Sequence, residues 1–321
     1  MVGLGRRLGR PGAAASRGET CGPVLVAGAT GWVGRALLEL AHESGLPVVG
    51  VARRPVGDSR VQACDVSDRD AVDRLFQRLR PSVVFNCIRV RTEEFVTAAQ
   101  PRRSSGLVEL GVLLDASAQC RSRLVHVGSA AEYGGSLGRR PVTERTHPRP
   151  LNLYGRQKLG QTKLALARAR RGADVVVARL FNLIGPGEGL DTVTGSWIAR
   201  LASARSDIGG VVEIAATVRD FVDVRDAARA LLLLGAHAKA RGTYNICSGR
   251  GTRIDRLVRT VAQILSVDVR IRSVVPRRER GSGPSFAVGS SRRLRGLGWV
   301  PRIPLERSIV DKVIEWCGNG D

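Results

Sequence analysis

A glycine-rich turn between a strand and a helix constrains the fold of this chain more than any other feature. Residues 23–27 (PVLVA) predict a short buried strand, GATGWVG follows, and RALLELAHESG predicts a helix. Gly28, Gly31 and Gly34 form a GxxGxxG pattern, which allows a tight turn, backbone approach to a pyrophosphate and close helix–strand packing. This unit predicts a dinucleotide-binding, doubly wound parallel sheet.

Strands and helices alternate along most of the chain, and the alternation breaks at Phe181 and resumes at Phe221. We therefore predict an α/β fold with two domains. Residues 23–181 and 220–248 should form the dinucleotide domain, and residues 182–219 and 249–316 a smaller substrate domain. Residues 1–22 are rich in Gly, Arg and Ala without periodicity, and they are predicted to be a disordered tail. Later strands are predicted at 47–55, 62–65, 82–87, 124–127, 174–179 and 243–249.

Charge and composition narrow the classes of partner. The net charge is +22, but the arginines are spread over every segment and aromatic residues make up only 4%, which argues against a nucleic-acid binder. A basic surface would attract an anionic substrate such as a nucleotide diphosphate. No apolar run is long enough to span a membrane. The six cysteines show no metal-ligand spacing, so we interpret them as reduced core thiols of a cytoplasmic protein and predict no metal site.

Three residues are predicted to be catalytic. Ser129 follows the apolar strand 124–127, at the sheet edge where ligands of α/β proteins bind. Tyr154 and Lys158 are four residues apart on one helix face, where the ammonium would favour the phenolate and lower the pKa of the tyrosine. The serine hydroxyl would polarise a carbonyl while the tyrosine transfers the proton.

The end of the second strand predicts which cofactor is used. An acidic residue there would bind the ribose 2′-hydroxyl of NAD, but this chain has Arg53 and Arg54, whose guanidinium groups match a 2′-phosphate. NADP(H) is therefore favoured over NAD(H). Asp65 is expected near the adenine. The other predicted cofactor contacts, besides the glycines, Tyr154 and Lys158, are Thr30, Trp32, Val33, Val66, Cys87, Ile88 and Leu180.

The motifs GATGWVG, PSVVFNC, VHVGSAAEYG, LNLYGRQK, ARLFNLIGPGE, VRDFVDVRD and YNICSG occur in this order. With them the chain resembles the extended short-chain dehydrogenase/reductases of the NAD-dependent epimerase/dehydratase family, and most of all its GDP-4-keto-6-deoxy-D-mannose reductase branch. The resemblance implies a Rossmann fold, the triad above, and a homodimer packed through helices 106–120 and 154–171. It also implies that Asn182, Arg219 and Arg280 bind the substrate's phosphates or nucleotide.

Two segments depart from the pattern of the family. The family usually has an asparagine, a proposed proton relay, where this chain has the segment beginning at Gly106. The family's HLAA segment, which contacts the nicotinamide ribose, is here Asn86–Cys87–Ile88–Arg89. Both departures lie on the nicotinamide side of the expected site.

Two alanines discriminate between the chemistries of the family. Its dehydratases carry acidic residues directly after the catalytic hydroxyl, whereas this chain has Ala130 and Ala131, with Glu132 one place late. A methyl group cannot transfer a proton, so dehydration is disfavoured. Its epimerases usually keep NAD bound, whereas the arginine pair favours a dissociable NADP. The sequence therefore predicts NADPH-dependent reduction of a nucleotide-linked 4-keto-6-deoxyhexose. The alternatives are a nucleotide-sugar 4-epimerase and a non-catalytic NADP- or RNA-binding regulator.

Overall fold

A computed structural model describes seven stretches of the chain. They are residues 22–54, 56–89, 106–134, 140–190, 192–203, 211–274 and 285–318. Arg280 and residues 1–21 of the predicted tail lie outside the described residues. Within the described stretches, no helix is both long enough and apolar enough to cross a membrane.

The main sheet confirms the predicted parallel α/β fold. Its seven strands lie in the order β10-β6-β5-β4-β1-β2-β3, and neighbouring strands are parallel. The chain order reverses between β1 and β4, which is where such sheets open a crevice for a ligand. The strands are β1 Val24–Ala27, β2 Val48–Ala52, β3 Val61–Ala63, β4 Val83–Asn86, β5 Arg123–Ser129, β6 Val175–Leu180, β7 Asn182–Ile184, β8 Val211–Ala215, β9 Val218–Asp223, β10 Gly242–Ile246, β11 Gly251–Arg253, β12 Arg270–Val274 and β13 Phe286–Ala287.

Helices cover both faces of the main sheet, because its valine-rich strands are buried on both sides. One core packs α1 and α6 against one face, and a second packs α2, α3 and α4 against the other. The helices are α1 Trp32–Glu43, α2 Arg69–Leu79, α3 Leu107–Gln119, α4 Leu153–Arg170, α5 Val193–Ser203, α6 Val224–Ala236, α7 Ile254–Ile264, α8 Arg292–Arg295 and α9 Leu305–Gly318.

A third core lies beneath smaller sheets built by the later strands. β7, β9, β11 and β13 form one sheet, β8 pairs with β12, and α5, α7 and α9 pack around them. β9 crosses the junction predicted at residue 220, and the division into two domains stays a prediction. For residues 250–315 the sequence predicts two helices and one short strand, VRIRSVV. It missed β11, β13 and α8, since elements of two to four residues are too short to show a period.

Candidate active site

Ser129 is the last residue of β5, at the carboxyl edge of the main sheet. Its strand is held on both sides by parallel neighbours, and Ser129 pairs with Leu180 of β6. The Ser129 hydroxyl accepts a hydrogen bond from the Ala131 N–H at 3.2 Å, at the start of a short 3₁₀ turn. The hydroxyl therefore has a fixed backbone neighbour where the sheet opens.

Tyr154 and Lys158 lie on α4, whose start is fixed by Asn152. The Asn152 side chain accepts from the Gly155 N–H at 2.9 Å, as expected for an asparagine at a helix N-cap. Tyr154 lies in the first turn and forms a side-chain hydrogen bond with Ser129. Lys158 is buried one turn further on, and its Nζ donates to the Val127 carbonyl at 3.0 Å. The fold therefore brings all three residues of the predicted triad together.

The acid–base properties of the pair differ from the prediction. Burial raises the pKa of the Tyr154 phenol, although the hydrogen bond with Ser129 acts in the opposite direction. Burial also lowers the pKa of the Lys158 ammonium to about 8. The predicted lowering of the Tyr154 pKa by Lys158 is therefore wrong for this structure, because burial of the phenol is the largest influence and Lys158 is not among the groups that lower this pKa.

Ser129 and Tyr154 open into a cleft of about 230 Å³. The cleft is also lined by Asn182 and Arg219, the two described residues predicted to bind substrate, and by Leu180, a predicted cofactor contact. No aspartate or glutamate is among the described residues that line it. The cleft thus combines hydroxyl groups and a cation without a carboxylate.

Arg219 supplies that cation. Burial lowers the pKa of its guanidinium, and Nη1 donates to its neighbour's carbonyl, Val218 O, at 3.0 Å. Within the described stretches, no carboxylate forms an ion pair with Arg219. Nearby, the Asn182 amide donates to the Asp220 carbonyl at 3.1 Å. A partly buried cation without a carboxylate partner favours an anionic ligand in the cleft.

The glycine turn between β1 and α1 fits a dinucleotide. Gly28 has a φ of +81°, and a Cβ there would lie 2.9 Å from the backbone of Cys87 and Ile88. A Cβ on Gly34 would lie 2.2 Å from the Gly28 carbonyl oxygen. Gly31 is the N-cap of α1 and has no side chain, so the N–H groups of the first helical turn have no acceptor from a capping side chain. Close backbone approach and an uncapped helix N-terminus suit a pyrophosphate.

The other residues predicted to contact the cofactor follow the ends of neighbouring strands. Arg53 and Arg54 are exposed directly after β2. Asp65 follows β3 and accepts from the Ser67 N–H and hydroxyl at 2.9 and 2.7 Å. After β4, the Asn86 side chain accepts from the Ile88 N–H at 3.1 Å and fixes the loop. These positions share one edge of the sheet, and their contacts with a cofactor stay predictions.

The side chains predicted within and near the turn differ in their surroundings. Thr30 is exposed, Val33 packs against the core under α1, and Val66 is buried in the core under α2. Trp32 bonds across the molecule, because its indole N–H donates to the Pro186 carbonyl at 2.6 Å. Trp32 therefore ties the glycine turn to the loop after β7.

A comparison with protein-family models decides the family. The model described as "NAD dependent epimerase/dehydratase family" matches residues 24–247. The chain belongs to this family. This confirms the resemblance drawn from the motifs, and the protein is an oxidoreductase of the extended short-chain dehydrogenase/reductase type.

Two curated proteins and a solved structure are similar to this chain over different lengths. GDP-6-deoxy-D-mannose reductase from Pseudomonas aeruginosa is 33% identical over 184 residues, which are 55% of this chain and 59% of that protein. dTDP-6-deoxy-L-talose 4-dehydrogenase (NAD(P)(+)) from Kitasatospora kifunensis is 28% identical over 303 residues, which are 89% of this chain and 93% of that protein. The solved structure of RMD from Pseudomonas aeruginosa complexed with NADPH is 27% identical. It has a TM-score of 0.77 and covers 92% of this chain and 99% of that chain.

Some residues that line the cleft could not be predicted from the sequence. Tyr133 and Phe181 line the cleft beside the triad, and Ala287 reaches it from a distant part of the chain. The N-cap preference of asparagine could have identified Asn152, which also lines the cleft. Single apolar or aromatic residues in loops and short strands give no local pattern that would place them in a site.

Proposed function

We propose that this protein reduces the 4-keto group of a nucleotide-linked 4-keto-6-deoxyhexose with NADPH. One observation carries the proposal: the cleft holds Ser129 and Tyr154 together with Arg219, and its described lining has no carboxylate. The first two residues suit carbonyl chemistry, and the arginine suits the diphosphate of a sugar nucleotide. The two relatives named as a GDP-6-deoxy-D-mannose reductase and a dTDP-6-deoxy-L-talose 4-dehydrogenase support the same substrate class.

Four residues of the cleft, and Lys158 one helical turn beyond Tyr154, have roles in this reaction. Arg219 and Asn182 bind the anionic nucleotide part and fix the sugar. The Ser129 hydroxyl donates a hydrogen bond to the 4-keto oxygen, which becomes more negative during reduction. Tyr154 gives the proton to that oxygen, and its raised pKa keeps the phenol protonated at neutral pH. Lys158 holds the ribose next to the nicotinamide. The bound cofactor supplies the hydride.

The lining of the cleft argues against dehydration. A dehydratase needs an acid and a base beside the sugar, and the residues that follow Ser129 into the cleft are Ala130 and Ala131. The carboxylate of Glu132 is buried away from solvent and bonds to Arg179 at 2.8 Å. Reduction and 4-epimerisation both remain compatible with a cleft of this kind, and they differ in whether the cofactor is consumed.

Arg53 and Arg54 are the basis for proposing NADPH rather than NADH. Their guanidinium groups follow β2 directly and are exposed, so they are accessible for charge-assisted hydrogen bonds with a 2′-phosphate. The structure of RMD from Pseudomonas aeruginosa holds NADPH, which supports this choice. A homodimer formed through the predicted helices 106–120 and 154–171 stays a prediction.

The test is an assay of cofactor consumption. NADPH absorbance at 340 nm is followed with a panel of nucleotide-linked 4-keto-6-deoxyhexoses, and the products are analysed. We expect one NADPH to be oxidised for each ketone reduced. Interconversion of sugar nucleotides at C4 without net loss of NADPH would make the protein a 4-epimerase. If no sugar nucleotide changes, the proposal is wrong and a non-catalytic role takes its place.

A further inference from the structure

A buried ion pair lies directly behind Ser129. Glu132 and Arg179 are both buried, and the Arg179 Nε donates to Glu132 Oε2 at 2.8 Å. Glu132 lies in the 3₁₀ turn after β5, and Arg179 belongs to β6. Neither residue was predicted to belong to the site, and neither lines the cleft. A pair of this kind is costly to bury, so its contacts with the site need an explanation.

The Glu132 carboxylate joins three elements of the site. Its Oε1 accepts from the Ser129 backbone N–H at 2.9 Å and from the Thr162 hydroxyl of α4 at 3.1 Å. Its Oε2 accepts from Arg179 on β6. The strand end that carries Ser129 is therefore fixed to the helix that carries Tyr154, through a single carboxylate.

The arginine extends the network away from the cleft. The Arg179 guanidinium lies 4.5 Å from the centre of the Tyr133 ring, and the Tyr133 hydroxyl donates to Asn245 Oδ1 at 2.8 Å. The Asn245 backbone N–H in turn donates to the Glu144 carboxylate at 2.9 Å. These contacts through Tyr133 and Asn245 fix the position of the Arg179 guanidinium. The guanidinium in turn fixes the position of the Glu132 carboxylate.

We propose that Glu132, supported by Arg179, is a positioning residue that sets the place of the Ser129 hydroxyl relative to Tyr154. This inference rests on the proposed function, in which that hydroxyl bonds to the substrate carbonyl. The charged hydrogen bond to the Ser129 N–H fixes the backbone from which the hydroxyl projects. Misplacement of a catalytic group by about 1 Å can cost about 10²-fold in rate, so loss of the bond should be visible in kcat.

Two double variants test the inference. Glu132→Gln with Arg179→Met keeps an oxygen that can accept from the Ser129 N–H, whereas Glu132→Val with Arg179→Met does not. Both remove the two charges together, so neither leaves an uncompensated buried ion. Both also remove the Glu132 carboxylate, whose negative charge raises the pKa of Tyr154 and the pKa of Lys158. The difference between them isolates the hydrogen bond from the charge.

We expect the glutamine variant to keep kcat within about threefold of wild type and the valine variant to lose about 10–100-fold. The affinity for NADPH, measured by fluorescence titration, should be unchanged in both. In a Ser129→Ala background the valine variant should cause no further loss of kcat, because Glu132 acts through Ser129. Asp226→Asn is the control, since its buried carboxylate accepts from the backbone N–H groups of Arg302 and Ile303 at 2.9 Å and pairs with Arg229, away from the cleft. It should lower stability and leave kcat unchanged.

Equal kcat for the two double variants would overturn the inference. So would a fold-loss of kcat by the valine variant that is as large in the Ser129→Ala background as in the wild-type background. If the valine variant does not fold, Thr162→Val removes one bond to the same carboxylate without a change of charge. It should lower kcat about threefold, and only when Ser129 is present. An inactive wild type would overturn the proposed function and this inference together. An active wild type with additive losses would overturn this inference alone.

Discussion

Adding one methyl group to the glycine turn should weaken cofactor binding. A Cβ at Gly34 would lie 2.2 Å from the Gly28 carbonyl oxygen, while ordinary contact begins at 3.4 Å. In Gly34→Ala, α1 must therefore retreat from the turn by about 1.2 Å. Overpacking of this kind costs about 1–3 kcal/mol, and it displaces the helix N-terminus that would bind the pyrophosphate. We expect the Kd for NADPH to rise at least tenfold and the free energy of unfolding to fall by about 1–3 kcal/mol.

The assay needs a control that adds the same methyl group elsewhere. Gly111 lies within α3, and a Cβ there meets nothing within 4 Å. Gly111→Ala should therefore stabilise the protein by about 0.5–1 kcal/mol, as expected for a glycine in a helix, and leave the Kd for NADPH unchanged. Urea denaturation gives the stabilities, and fluorescence titration gives the affinities. A Gly34→Ala variant that binds NADPH as tightly as wild type would refute the account of the turn.

Four further predictions concern Tyr154, the arginine pair and two buried ionisable groups. Tyr154→Phe should lower kcat by ~10²–10⁴-fold with unchanged NADPH affinity, and normal turnover would remove Tyr154 from the mechanism. Arg53 and Arg54 should each contribute about 1.5–3 kcal/mol to a preference for NADPH over NADH, so replacing both by alanine should remove most of that preference. Equal affinities of the wild type for NADH and NADPH, measured by calorimetry, would contradict this prediction. Burial lowers the Lys158 pKa from 10.5 to about 8, so the unfolded chain binds more protons between these pH values and stability rises with pH across them. Lys158→Met should thus raise the free energy of unfolding, relative to wild type, more at pH 7 than at pH 11, and an equal effect at the two pH values by urea denaturation would refute this. Burial raises the Glu188 pKa from 4.5 to about 7, so the folded state binds more protons than the unfolded chain and stability should fall as pH rises through this range. Urea denaturation of Glu188→Gln should show no such fall. If the free energy of unfolding changes with pH in this variant as it does in wild type, Glu188 is not the source of the fall.

The parallel sheet could be predicted from the sequence because its strands are local signals. Each is a short apolar run followed by a turn and a helix, and the structure places β1, β4 and β6 within one or two residues of the predicted bounds. The GxxGxxG pattern likewise indicated a helix after the turn, although α1 begins at Trp32, inside the motif, and not at Arg35 as predicted. Such patterns depend only on neighbours in the chain, so one sequence is enough to read them.

The contacts behind the cleft could not be predicted, because they join residues that are far apart in the chain. In the sequence Glu132 stands one place too late to act on a sugar, and nothing in its neighbourhood indicates a partner 47 residues away. The pKa of Tyr154 was predicted in the wrong direction for a related reason. Spacing along a helix shows which charges are near, but burial depends on the whole fold, and here burial dominates.

The hydrogen bond from Lys158 Nζ to the Val127 carbonyl affects whether this lysine can react covalently with a substrate. An amine with a pKa of about 8 is partly unprotonated at neutral pH, and such an amine condenses with a ketone to form an imine. The bond holds Nζ against the strand, and Lys158 does not line the cleft. A ketone bound beside Tyr154 therefore lies out of reach of a nucleophile only one helical turn away. By the same geometry, borohydride should fail to trap the substrate on this lysine.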